Sequence, residues 1–246
     1  MIDSLSFLSL ALLAAFLAPA QDQPLPQTHD MTSMSGTLDS LPHREELHML
    51  MTPVRAPRIP DQGRAQQIVE VARQVLSKYR DPLLAERDGY HIVKTPVKRA
   101  VYHFTKYEFL READSGQAFR PDHPVSLIYR KRGETFELIG VMYYAPKDAS
   151  EDDLDRRIPL SVARWHKHVN VCMPPPGQLA KIWDPAPRFG EIGSIDSKKN
   201  CEAAGGRFLP QIYGWMVHMY LFETDPTQIW SPDRVSEEEE QFAGVH

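Results

Sequence analysis

The segment Trp165-His166-Lys167-His168-Val169-Asn170-Val171-Cys172 carries the residues best suited to chemistry. Its composition predicts a strand over Arg164 to Met173. Side chains alternate faces along a strand. His166, His168, Asn170 and Cys172 therefore share one face, while Trp165, Val169 and Val171, with Lys167 between them, share the other. Two imidazoles at i and i+2 lie about 6–7 Å apart at Cα and can converge on one ion. Further ligands must come from other strands. His218, between Val217 and Met219, is the first candidate, and His103, in Tyr102-His103-Phe104, is the second. Glu137, between Phe136 and Leu138, is a weaker third. Three strand-borne histidines with one open position suit zinc, copper or iron. Water or dioxygen activated there would act on a small substrate. The competing expectation is a hydrogen-bonded histidine cluster, with Asn170 and Tyr102 as partners, in a non-enzymatic binding or structural module of the cell envelope.

The elements that must position these residues are legible as periodicities. Ala65, Ile68, Val69, Ala72, Val75, Leu76 and Tyr79 form one stripe of an amphipathic helix, with Asp61 as its expected N-cap. Asp81-Pro82 reads as the N-cap and first residue of a second, short helix ending near Gly89. Strand signals follow at Ala100 to Thr105, Val125 to Arg130 and Thr135 to Tyr144, the last two joined by a hairpin connection at Lys131-Arg132-Gly133-Glu134. Ser150 and Asp153 have capping-box spacing. Pro174-Pro175-Pro176-Gly177 ends the histidine strand and opens a long Gly/Pro-punctuated excursion over 177–210. Tyr213 to Glu223 reads as a last strand. Helices precede strands and βαβ alternation is absent. The expected class is α+β, with N-terminal helices packed on a mostly antiparallel sheet.

Outside this core, Leu5 to Leu17 is apolar apart from Ser6 and Ser9, and Ala18-Pro19-Ala20 follows. That run is too short to span a bilayer and suits a signal peptide over 1–20, although its start holds Asp3 and no Lys or Arg. The expected localisation is secreted or periplasmic, with no transmembrane segment after cleavage. Residues 21–60 read as a flexible arm containing His29, Met31, Met34, His43, His48, Met49 and Met51. Thioether and imidazole together suit copper, and a plain disordered linker is the alternative. Residues 61–230 form the expected single domain, and 231–246, with Glu237 to Glu240, an acidic tail. In an oxidising compartment the two cysteines, Cys172 and Cys201, are expected to pair. The other possibility is Cys172 as a thiolate ligand. A formal net charge of −5 without a basic stripe excludes a nucleic-acid profile. No G-x-S-x-G elbow, P-loop, G-x-G-x-x-G or H-E-x-x-H occurs. Partners are limited to a small molecule or an envelope component.

Several stretches also carry a resemblance: MTPVRAP (51–57), KYRD…DGY (78–90), YHFTKY (102–107), PVSLIYRK…FELIGVMYYAPK (124–147), IPLSVARWHKHVNVCMPP (158–175), CEAAGGRF (201–208) and YGWMVHMYLFE (213–223). In these the chain resembles an uncharacterised family of exported bacterial proteins. The resemblance implies a folded unit from about residue 50 to 230 and no particular activity, cofactor or catalytic residue.

Overall fold

A computed structural model describes residues 47–93 and 95–232. The proposed signal segment, the arm up to residue 46, with His29, Met31, Met34 and His43, and the tail from 233 lie outside the described residues.

Seven strands form one sheet. They are β1 (Met49–Met51), β2 (His91–Ile92), β3 (Val101–Thr105), β4 (Ser126–Arg132), β5 (Thr135–Ala145), β6 (His166–Met173) and β7 (Arg207–Met219). Their order across the sheet is β1-β6-β7-β5-β4-β3-β2, and every neighbouring pair is antiparallel. The helices are α1 (Ile59–Leu76), α2 (Pro82–Arg87), α3 (Tyr107–Asp114), α4 (Glu151–Arg157), α5 (Lys198–Ala203) and α6 (Pro226–Ile229). The protein is α+β, as its residue order predicts. No helix among the described residues is long and apolar enough to cross a membrane.

The alternation of side chains divides the sheet into two unlike faces. Phe104, Leu127, Tyr129, Val141, Tyr143, Trp165, Trp215, Val217 and Met219 point to one side. There they meet Ile68, Val69, Ala72 and Leu76 of α1, Ala85 of α2 and Leu154 of α4. Each such aliphatic side chain removed from water contributes about 1.5–3 kcal/mol, so this face carries the main core. Buried tyrosines on it satisfy their hydroxyls on carbonyls: Tyr129 donates to Tyr79 at 2.6 Å and Tyr143 to Pro121 at 2.7 Å. The α1 stripe is buried as expected except at Val75, which is 40% exposed.

Two local expectations need correction. Helix α1 begins earlier than Asp61, after Arg58, with Pro60 in its first turn. Asp61 is the third helical residue, and its carboxylate reaches back to the Arg58 N–H at 3.0 Å. The Ser161 hydroxyl, donating at 2.7 Å, together with Arg58 holds that carboxyl down at about 2. In addition, the arm does not remain free to residue 60. Met49–Met51 pairs with β6, the Thr52 N–H donates to the Trp165 carbonyl at 2.8 Å, and His48 is buried. A three-residue edge strand has too little sequence to show alternation. It forms here because β6 offers an open edge.

Asp81 caps α2 by accepting from the Leu83 N–H at 2.9 Å, and Ser150 with Asp153 forms the capping box of α4, both as read from spacing. The disulfide Cys172–Cys201 is formed across 29 residues of sequence. Closing a loop of that length contributes about 3–4 kcal/mol in the chain-entropy account. It also leaves Cys172 without a thiolate to offer a metal.

Candidate metal centre

The second face of the sheet holds the histidines. His103 of β3, Ser126 and Ile128 of β4, Met142 of β5, Met216 and His218 of β7 and His166 of β6 are linked by register. His103 lies opposite Ile128, Ser126 opposite Met142, Met142 opposite His218, and Met216 opposite His166. Residues directly opposite in an antiparallel ladder project to the same side. His103, His218 and His166 therefore share one face, and His168, two residues beyond His166 and in regular register with β1, joins them.

Sharing a face does not by itself bring them together. Strands β5 and β4 lie between His218 and His103, and three ladder steps span about 14 Å on a flat sheet. Yet the two rings are 5.8 Å apart, centre to centre. The sheet is therefore curled, with the histidines inside the curve. Two irregularities account for the curl. The β4–β5 register shifts between Ile128 and Tyr129, next to Gly140. A Cβ on Gly140 would stand 2.7 Å from the Met219 carbonyl oxygen and 3.1 Å from the Tyr220 ring, so only glycine allows β7 to approach so closely at the residue beside His218. The second is between His166 and His168, where β7 carries extra residues against β6, with Tyr213 in the left-handed region at φ 59°. Such bulges bend a strand and raise its twist.

Within the curve the rings form a connected series. His103 and His218 are 5.8 Å apart, His218 and His166 5.1 Å, and His166 and His168 5.8 Å. Two imidazoles on one tetrahedral ion, with metal–nitrogen bonds of about 2.0–2.1 Å, have ring centres roughly 5 Å apart. Pairwise, the spacing is that of co-ligands. Among the described residues no three His, Cys, Asp or Glu side chains already form a group set to hold an ion.

The electrostatics favour neutral rings. Burial first, then the like charges of His168 and His103, brings His166 down to about 3. Burial, then Arg99 and His168, brings His103 down to about 4. His218 is held well below its usual value by burial and by the other three histidines. Among the described residues no hydrogen bond to a carboxylate offsets these effects. Neutral imidazole is the form that binds metals. His218 Nδ1 is buried without a hydrogen-bond partner, an arrangement that costs about 1–3 kcal/mol unless something ligates it. His166 is only 4% exposed, whereas His103, His168 and His218 keep partial access. The cluster is thus deep but reachable.

The 177–210 excursion supplies an outer partner. The Gly190 N–H donates to the Cys172 carbonyl at 2.9 Å, and the buried His48 Nε2 lies 2.7 Å from the Gly193 carbonyl. Between those two anchors, Glu191 places a carboxylate oxygen 3.5 Å from His168 Nδ1. A carboxylate on one ring nitrogen orients the other toward a metal. The disulfide therefore fastens the loop that brings Glu191 to the histidine face. No sequence signal points to Glu191, because its approach depends on that fastening.

The other suggested partners lie elsewhere. Glu137 is held by Arg132 at 2.7 Å near the hairpin end. The Asn170 amide donates to the Leu47 carbonyl at 3.4 Å, since Asn170 has a left-handed φ of 57° that breaks the alternation after His168. The Tyr102 ring packs on Phe136, on the helix-covered side, and its hydroxyl accepts from the Arg99 N–H. His123, a histidine outside this group, is stacked on Phe109 and bonded to Glu112 at 2.8 Å.

Compared with known protein families, with curated proteins and with solved structures, the chain matches none.

Proposed function

We propose that the protein binds one transition-metal ion between His166, His168, His218 and His103, and that it does so outside the cytoplasm as a member of the exported family it resembles. The observation that carries the reading is the buried, unpartnered His218 Nδ1 lying among three other imidazoles. An isolated structural histidine in a core normally has its nitrogens bonded, and here a ligand is the missing partner. With three of these four imidazoles as ligands, a fourth position remains for water or a small substrate. Glu191 would orient His168, and the curled sheet would restrict access to the ion. The signal-like run before Ala20 supports export, and the disulfide is compatible with it.

The test is elemental analysis of tag-free protein after loading and desalting. About one equivalent of a transition metal is expected, removed by chelator together with a fall in stability. No stoichiometric metal, and stability indifferent to chelator, would overturn the reading. The alternative, an envelope binding module with a purely structural histidine cluster, draws on the lack of a preformed ligand group among the described residues. It requires that His166→Ala and His168→Ala change stability without changing metal content.

A further inference from the structure

The histidines are not the only metal-philic residues on the curled face. The ladder sets Met51 opposite His166 from β1, and Met216 opposite the same His166 from β7. Met49 stands opposite His168, and Met142 opposite His218. Directly opposite residues have Cβ atoms about 4.5–5.5 Å apart, within reach of a flexible thioether. Along β1, Met49 and Met51 are half-buried while Leu50 between them is 47% exposed, so both methionines turn inward with the histidines. Four of the chain's nine methionines thus stand opposite three of the four imidazoles, and that concentration distinguishes among ions. Thioether sulfur is a soft ligand that suits Cu(I), whereas zinc takes thiolate, imidazole and carboxylate. The cysteines cannot serve as thiolates, being joined in the disulfide.

We propose that the ion bound by this site is Cu(I), held by the imidazoles of His166 and His218, whose rings are 5.1 Å apart, with the thioethers of Met51 and Met216 completing a four-coordinate set. The proposal rests on the metal-binding reading above and adds the identity of the ion and two sulfur ligands. Edge strand β1 then acts as part of the site: its pairing with β6 delivers Met51.

The experiment is competition for Cu(I) against a chromogenic chelator, without oxygen and with ascorbate as reductant so that the disulfide stays intact. A parallel competition uses Zn(II). Wild type is compared with Met51→Leu/Met216→Leu and with His166→Ala. Met→Leu conserves volume and seldom disturbs a core, and retained zinc binding reports that the variant is folded. The Met and His residues of the 21–46 segment are unchanged in every variant, so differences read the sheet alone. The expected result is a Cu(I) affinity at least tenfold weaker in the double Met variant, with Zn(II) affinity unchanged, and loss of both ions in His166→Ala. Equal Cu(I) affinity in wild type and the double Met variant overturns the copper assignment and leaves the metal site standing. Failure of both ions to distinguish wild type from His166→Ala overturns the metal site itself.

Discussion

With free ion at a hundred times its dissociation constant, the wild-type protein should gain about 2.7 kcal/mol of unfolding free energy, and His166→Leu should gain almost none. The size follows from mass action, because a ligand that binds only the native state stabilises it by RT ln(1 + [L]/Kd). His166 is the residue to remove, since its ring is next to both His218 and His168, at 5.1 and 5.8 Å. Leucine fills a similar volume on a face already bordered by Met216 and Met51, so the variant should fold. Denaturant midpoints with and without ion check this. An equal gain in the variant would place the binding site elsewhere.

The second large effect is on acid stability of the metal-free protein. His103 and His166 are held at about 4 and about 3 by burial and mutual repulsion, and His218 is held lower than usual by the same causes. In the unfolded chain each takes up a proton near pH 6.5. Below that pH the unfolded state binds more protons than the native state, so stability falls as pH falls. Above pH 6.5 the contribution is complete and flat. It is lost progressively toward pH 4. Each ring kept neutral removes about 1.4 kcal/mol per pH unit. With allowance for partial solvent access, His103 and His166 together remove on the order of 3 kcal/mol by pH 5, a large part of the roughly 5–15 kcal/mol of an ordinary domain, and His218 acts in the same direction. Asp61, held at about 2, adds its own loss only below about pH 4. Denaturant titrations at pH 7, 6, 5 and 4.5 should show the decline, and His166→Leu should show a shallower one. A flat profile between pH 6.5 and 4.5 would mean that the rings protonate freely in the native state.

Much of this arrangement is visible in periodicity. The main strands declare themselves by period-two alternation, and α1 by its apolar stripe, because each buries one continuous face. The same alternation puts His103, His166, His168 and His218 on inward-facing strand positions. What periodicity lacks is register and curvature. Nothing local to Met49–Met51 marks it as a strand, since its role depends on pairing with β6. The methionine partners of the histidines follow only from that pairing. Strand β7 starts at Arg207 rather than Tyr213, because Pro210 and the polar residues around it hide an irregular first half. Helix α3 escapes notice because its apolar Phe109, Leu110 and Ala113 cover a single turn beside Tyr144 and Met216. The curl that brings His103 to His218 depends on Gly140 and a register shift, and a single glycine in a strand does not announce which side it will bend toward. Glu137 is misleading for the opposite reason. It alternates correctly, but lies toward the hairpin end where Arg130 and Arg132 engage it.

The most direct test is imidazole NMR of the full protein during titration with Cu(I) or Zn(II), both diamagnetic. At one equivalent, the ring resonances of His103, His166, His168 and His218 should shift together and saturate, with those of His91 and His123 unmoved. Saturating shifts confined to His29 and His43, with the four sheet histidines unchanged, would contradict a shared ion on the curled face.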